Sequence, residues 1–337
     1  MCLRASLLST ILGLFSSLSF VLGILRSISA VSVHKRLFIN KACIISCFST
    51  SHIIDLINNL RNTMYCPRCM LKDNRNRIFE TNTYYEGSRY TTEAHRKTLE
   101  INGWTFCPVD ITDSEGVTTL PVKGGKWFDE MHVGKSMLNY DSLLVLTHFK
   151  GHVMGGFGGS NKNIGIGCAD GRIGKKEIHT HPNADMWSIA EEELMERISE
   201  STKATIDHFA PHVCYINTMR NMSVECDCAG PAASPVVTPD IGILASLDIL
   251  AVDNACIDLI YNLPKDGGKE LIERVETRHG LRQLSYMKEL GMGNDRYTLI
   301  DIDNGDAVIT AAEAVKDVEP GWRPDRYNTF WGRNKRA

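Results

Sequence analysis

The sequence predicts an α/β fold with a mainly parallel sheet, flanking helices and a glycine-rich ligand loop at the carboxyl end of one strand. The first observation is that strand and helix signals alternate after residue 50, which is typical of βα units. The second is the run Ser-Leu-Leu-Val-Leu-Thr at 142–147, an apolar stretch bounded by Asp141 and by glycines, as in a buried parallel strand. The third is ordinary globular composition, with 43% hydrophobic and 23% charged residues among 337. This composition excludes disordered, collagen-like and coiled-coil classes.

The elements follow from hydrophobic periodicity and from end signals. Trp187, Ala190 and Leu194 begin a helical pattern, and Gly103 ends another helix. We expect helices at 52–61, 91–102, 186–210 and 247–263. We expect strands at 77–80, 142–147, 213–217, 241–245 and 297–302.

The chain divides into three parts by composition. Residues 5–25 carry no charge and are apolar all round, so 1–50 form a signal peptide, a membrane anchor or a mispredicted start. Residues 51–302 form the α/β domain, and 303–337 form a polar tail. The core is of cytoplasmic type, and any membrane contact is expected only through the N-terminal segment.

Charge and cysteine content narrow the partners. The net charge is −3 with a pI near 6.4, which does not give the positive field of a nucleic-acid binder. Eleven cysteines, an odd number spread over the chain, favour a reducing compartment in which some of them bind metal. We therefore expect a small-molecule ligand or an electron-transfer partner, and no nucleic acid.

The glycine-rich segment 147–174 is the strongest candidate site. It follows the predicted strand directly, and open α/β sheets bind ligands at the carboxyl ends of strands. Neither the Walker pattern nor the dinucleotide pattern is present, because Ala169 and Asp170 stand where each requires glycine. Lys162 is the candidate catalytic residue, as an anion clamp or a nucleophile. The residues expected to bind a cofactor are His148, Lys150, His152, Gly156, Gly158, Gly159 and Asn163.

A transition metal or a metal-containing cofactor is expected near this loop. His179 and His181 alternate, which puts both imidazoles on one face if the segment is extended. Cys226 and Cys228 form a C-x-C pair, which can grip a metal in a bent segment or be two buried thiols in a regular one. Asp253 lies inside an apolar helical pattern and needs either a buried hydrogen bond or a metal.

A second thiol pair is Cys66 and Cys69, half of a zinc-knuckle pattern without a nearby partner pair.

The motif THFKGHVMGGFGGSNKNIGIGCADGRIGKKEIH at 147–179 resembles the signature of the domain-of-unknown-function family 362. Members of that family are often described as uncharacterised Fe–S centre proteins. Thr81-Asn82-Thr83-Tyr84, Glu225-Cys226-Asp227-Cys228 and Asp253-Asn254-Ala255 follow the same pattern in the same order. The resemblance implies an α/β core that usually carries an inserted ferredoxin module with two 4Fe-4S clusters.

The chain departs from that pattern in two places. Between His181 and Val213, where the ferredoxin module would lie, there is no cysteine, so the 4Fe-4S ligand motifs are absent. The opening βα unit of the family is also missing. The sequence is therefore identified as a member without the cluster module.

Gly158 to Lys162 is also similar to a loop of nickel-pincer lactate racemases. Carried over, that resemblance would make Lys162 the cofactor tether and His179 or His181 the nickel ligand. The overall hypothesis is a metal- or cofactor-binding protein of redox-related role; the alternative is a non-catalytic binding or scaffold protein that has lost its clusters.

Overall fold

The structure, a computed structural model, describes residues 41–45, 77–105, 108–226 and 234–319. Twelve strands lie in these ranges: β1 (Lys41–Ile45), β2 (Ile78–Glu80), β3 (Val109–Ile111), β4 (Val117–Pro121), β5 (Glu130–Gly134), β6 (Leu143–His148), β7 (Lys150–His152), β8 (Gly156–Gly158), β9 (Val213–Met219), β10 (Gly242–Ser246), β11 (Thr298–Asp301) and β12 (Ala307–Ile309). Eight α-helices lie there too: α1 (Thr92–Ile101), α2 (Ser160–Gly167), α3 (Gly174–His179), α4 (Glu191–Phe209), α5 (Ile249–Tyr261), α6 (Lys269–Thr277), α7 (Arg282–Glu289) and α8 (Ala311–Val315).

The main sheet has six strands in the order β12-β11-β1-β10-β9-β6. Two of its pairs are parallel, β1 with β11 and β6 with β9, and the other three are antiparallel. The α/β class is confirmed, but a mainly parallel sheet is not, because the sheet is mixed. The chain passes from β6 to β9 through helices and returns in parallel, whereas the described residues between β9 and β10 form no helix and these strands are antiparallel.

Strand β6 lies at the edge of this sheet, which differs from the buried position that its apolar sequence suggests. Val145 and Thr147 are buried on one face. Leu144 and Leu146 point to the other face and pack beside Ile216 in a smaller apolar cluster. Packing on both faces explains why the run is continuously apolar although β6 is an edge strand.

Helices α2, α4 and α5 pack around the larger apolar cluster, which includes Leu244 of β10 and Phe157 of β8. Helix α5 begins as expected, since the Asp248 side chain accepts a hydrogen bond from the N–H of Ala251 at 2.9 Å. Helix α1 lies between Thr91 and Asn102, as predicted. Helices α2 and α5 therefore pack against β6, β9 and β10. The glycine-rich segment follows directly after β6, the first of these strands.

Two predicted segments are built differently from the expectation. Helix α4 begins at Glu191 and not at 186, because Trp187 has a φ of 67°, outside the range of a right-handed α-helix. The segment predicted as a polar tail contains β12, at the edge of the main sheet, and α8.

The predictions for 1–50 and for Cys66 and Cys69 lie outside the described residues, except for the backbone of β1. Within the described ranges, no helix has both the length and the apolarity needed to span a membrane.

Candidate functional site

The glycine-rich segment forms a small β-hairpin followed by a helix. After β6 ends at His148, β7 and β8 pair antiparallel, with Lys150 opposite Gly158 and His152 opposite Gly156. Helix α2 then starts at Ser160 and carries Lys162 in its first turn. Lys150 and His152 are buried and Lys162 is half-buried, so the hairpin brings cationic and imidazole groups beneath the surface.

The glycines of this segment mainly leave space for backbone and side chains from other parts of the protein. Gly156 has φ of 71°, and a Cβ there would lie 2.7 Å from the Cα of Gly280. A Cβ at Gly159 would lie 2.5 Å from an oxygen of Asp253. Gly158 is different, since its Cβ would meet only the Cδ of Lys162, at 4.0 Å. At Gly156 and Gly159, which the sequence predicts to bind a cofactor, the close approach is therefore to other parts of the protein.

The amino end of α2 is capped by a residue distant in sequence. Asp253 accepts hydrogen bonds from the backbone N–H of Ser160 at 2.8 Å and of Asn161 at 2.9 Å, and from the side-chain amide of Asn217 at 2.7 Å. Burial raises the pKa of Asp253 to about 6. The partner that this buried carboxylate needs is therefore a hydrogen-bond network. Because the carboxylate occupies these N–H groups, they do not offer an anion site to a ligand.

Hydrogen bonds from its own loop fix the tautomer of His152, which leaves the other ring nitrogen as a donor toward a ligand. Its Nδ1 accepts from the backbone N–H of Gly155 at 2.9 Å and of Met154 at 3.3 Å. In the neutral ring the proton then lies on Nε2. Burial lowers the pKa of His152 well below its usual value, and the charges of Lys162 and Lys150 lower it further. A neutral ring with Nε2–H can donate to a ligand but does not offer a lone pair to a metal.

His179 has the opposite arrangement. Its Nδ1 lies 2.7 Å from the backbone carbonyl of Lys175, so Nδ1 carries the proton and donates it. Nε2 then holds an unprotonated lone pair, which can accept a proton or ligate a metal. Burial lowers the pKa of His179 to about 4, the carbonyl hydrogen bond opposes this, and the charge of Lys162 adds to the lowering. The ring is therefore neutral at physiological pH.

The electrostatic environment of both imidazoles is positive. After burial, the largest contributions at His152 come from Lys162, Lys150, His179 and Arg274, all of which lower its pKa. At His179 the charged contributors are Lys162 and Lys175. A positive potential in a buried place favours an anionic ligand, because the attraction is screened less than in water.

Other predicted residues lie outside this group. The Nε2 of His148 lies 2.7 Å from the carbonyl of Arg220, on the β9 side. His181 is 43% exposed in its side chain and lies 3.7 Å from Glu193. Asn163 donates its amide to the carbonyl of Leu146 and to the hydroxyl of Thr147, so it fastens α2 to β6. From the predicted set, Lys150, Lys162 and His179 are near enough to His152 for their charges to lower its pKa.

Within the described residues, the cysteine side chains do not complete a metal site. Cys226 is disulfide-bonded, and a disulfide sulfur is not a thiolate ligand; Cys228 lies outside the described residues. In the part of the chain that the structure describes, no group of three or more His, Cys, Asp or Glu side chains is placed to hold a metal ion. Within the described residues, the side chains do not form the four-thiolate set that a 4Fe-4S cluster requires.

The sequence prediction missed an aromatic cluster and a buried lysine beside this site. Trp187 packs edge-on against His179, and Tyr84 and Tyr85 pack against Trp187. Lys175 donates to the hydroxyl of Thr81 at 2.7 Å, and burial lowers its pKa to about 8. The motif at 81–84 was the available signal, since its residues contact both groups.

Comparison with known proteins gives a family match and a distant structural likeness. The family model described as "Domain of unknown function (DUF362)" matches residues 69–258. Among solved structures, the chain is similar to the lactate racemase apoprotein from Thermoanaerobacterium thermosaccharolyticum, with 11% identity and a TM-score of 0.34 over 79% of this chain and 73% of that one. This likeness is too distant to carry an argument about fold or chemistry. No curated protein sequence matches the chain.

Proposed function

The chain belongs to the family of domain of unknown function DUF362, and we propose that it binds an anionic small-molecule cofactor or substrate through Lys150, His152, Lys162 and His179. The family resemblance expected from the sequence is confirmed, and the match spans more than half of the chain. The observation that carries the proposal is the positive environment of two neutral, buried imidazoles with opposite hydrogen-bonding roles.

Each residue has a role in this proposal. Lys150 and Lys162 supply positive charge to an oxyanion, as a carboxylate or phosphate group would require. His152 donates from Nε2, and His179 accepts at Nε2. A donor and an acceptor side by side orient a ligand that carries both kinds of group, and His179 is the one placed to take up a proton.

A metal would enter this site only with a cofactor that brings ligands of its own. His179 supplies one imidazole nitrogen, and the described residues supply no set of three ligands. For a metal-containing cofactor of the kind that the loop resemblance implies, His179 is better placed than His181, which is half-exposed and faces Glu193. The redox-related role stays a prediction from the family resemblance.

Isothermal titration calorimetry of the full chain with methyl phosphate, and separately with acetate, tests the proposal. We expect binding of at least one oxyanion, weakened about tenfold or more by Lys162→Met, since a buried ionic contact contributes at least ~1.4 kcal/mol. Lys203→Met removes the same charge from a lysine paired with Asp207 on α4 and is the matched control. No binding of either anion, or equal weakening by both variants, would contradict the proposal.

A further inference from the structure

A partly exposed cluster of three aromatic rings lies against the proposed site. The ring centres of Tyr84 and Trp187 are 5.6 Å apart in an edge-to-face arrangement, and those of Tyr85 and Trp187 are 6.0 Å apart. Tyr85 and Trp187 keep 36% and 38% of their surface exposed, and the neighbouring Met186 is 47% exposed. These rings come from two segments about one hundred positions apart, so the fold assembles them at this place.

The aromatic cluster is continuous with the basic group through His179. The Trp187 ring centre lies 4.9 Å from that of His179, nearly perpendicular to it. The positive charge of Lys162 in turn lowers the pKa of His179. A molecule that contacts the exposed rings would therefore be separated from the positive charges by the His179 ring.

The backbone at Trp187 is in an unusual conformation for a bulky residue. Its φ is 67°, in the left-handed region that large side chains rarely adopt. The N–H of Trp187 donates to the hydroxyl of Thr180 at 3.3 Å, and the N–H of Ile189 donates to the carbonyl of His179 at 3.1 Å. Strained residues of this kind gather at ligand clamps, where the surrounding structure holds a side chain in place.

We propose that Tyr84, Tyr85 and Trp187 form a ring-binding subsite, so that the ligand is an oxyanion carrying a planar aromatic ring. The inference rests on the proposed function, because the basic group supplies the anchor for the charged end. Aromatic side chains recognise rings by stacking and by edge-to-face contacts, and exposed aromatic groups beside a few polar anchors are typical of small-molecule sites. The charged end would lie toward Lys162 and the ring toward Trp187.

The test compares two probes that share the anion and differ in the ring. Phenyl phosphate and methyl phosphate are titrated into the full chain by calorimetry at a pH of about 8, where both are dianions. We expect phenyl phosphate to bind about tenfold more tightly to the unmodified protein. Trp187→Leu should remove that difference by lowering the affinity for phenyl phosphate, whereas Lys162→Met should weaken the binding of both probes.

Two further variants keep the test decisive. Tyr85→Leu should reduce the preference for phenyl phosphate and serves if Trp187→Leu does not fold, as judged by circular dichroism. Tyr261→Leu removes a ring of similar exposure on α5 and should change neither affinity.

Each contrary outcome has a separate meaning. Equal affinity of the unmodified protein for the two probes overturns the ring subsite and leaves the anion site standing. A preference for phenyl phosphate that survives both Trp187→Leu and Tyr85→Leu overturns the assignment to these rings. Failure of both probes and of acetate to bind overturns the proposed function itself.

Discussion

The carboxylate of Asp253, on helix α5, accepts a hydrogen bond from the backbone N–H of Ser160 at the start of helix α2, with 2.8 Å between the oxygen and the nitrogen. This bond joins the helix that carries Lys162 to the helix that packs against β9 and β10. The position of Lys162 therefore depends on Asp253, 91 positions further along the chain. Gly159 lies between the two groups, and only a residue without Cβ leaves space for the carboxylate.

Gly159→Ala should destabilise the protein and weaken anion binding together. The added Cβ would lie 2.5 Å from Oδ1 of Asp253, so either the carboxylate or the start of α2 must shift. We expect a loss of about 1–3 kcal/mol in the free energy of unfolding, the usual cost of overpacking. Urea denaturation measures this change, and calorimetry with methyl phosphate measures the affinity.

Gly158→Ala is the matched control for stability. Its Cβ meets only the Cδ of Lys162, at 4.0 Å, which is an ordinary contact. We expect a change below about 1 kcal/mol. Equal destabilisation by the two substitutions would show that the Asp253 contact does not set the requirement for glycine.

His179 should make the protein less stable as the pH falls from about 6.5 to about 4. Its pKa in the folded state is about 4 and thus lies below the ordinary value of 6.5. A depressed pKa means that the unfolded chain binds the proton first, so the stabilisation is full above pH 6.5 and is lost as the pH falls through the folded pKa. The difference corresponds to at most roughly 3 kcal/mol. Other charged or titratable groups near His179 are His152, Lys162 and Lys175, and the pKa of Lys175, about 8, keeps that lysine protonated over this range.

His179→Asn tests this pH dependence, since its amide can still donate to the carbonyl of Lys175. Urea unfolding at pH values of about 7 and about 4.5 should show a smaller loss of stability in the variant than in the unmodified protein. His208→Asn, at an exposed position near the end of α4, should keep the full loss. A loss in His179→Asn as large as that in the unmodified protein would disprove the assignment.

Local patterns predicted three of the eight described α-helices, namely α1, α4 and α5, and missed the other five. Long-range contacts decided the site. Thr91 caps α1 and Asp248 caps α5. Caps of this kind can be predicted from the sequence because each depends only on the next three residues. The sequence alone did not show which of His179 and His181 belongs to the site. Alternate spacing puts two side chains on one face of a strand, but His179 ends helix α3 and His181 follows it, so the two rings separate.

The contribution of distant residues explains what the sequence did not reveal. Trp187 fitted the helical period that continues through Leu194, but its positive φ places it before α4 and against His179. Asp253 was recognisable as a carboxylate that needed a partner. That the partner is the first turn of α2 follows only from the packing of α2 on α5.

A second buried carboxylate should control stability without affecting the site. Glu200, on α4, is fully buried and accepts hydrogen bonds from the backbone N–H groups of Lys126, Trp127 and Phe128 and from the hydroxyl of Tyr286 at 2.6 Å. Glu200→Gln turns one accepting oxygen into a donor that faces other donors. We expect a loss of at least ~2 kcal/mol in the free energy of unfolding, since buried donors lose their acceptor.

Glu193→Gln on the same helix is the control for this prediction. Glu193 pairs with Arg197 at 2.9 Å and is partly exposed, so its loss should cost less than about 1 kcal/mol. Urea denaturation of the two variants gives the comparison, and calorimetry with methyl phosphate should give the same affinity in both as in the unmodified protein. If Glu200→Gln were no more destabilising than Glu193→Gln, the three backbone N–H groups would have to find water or another acceptor, and Glu200 would not be what holds the 126–128 loop to α4.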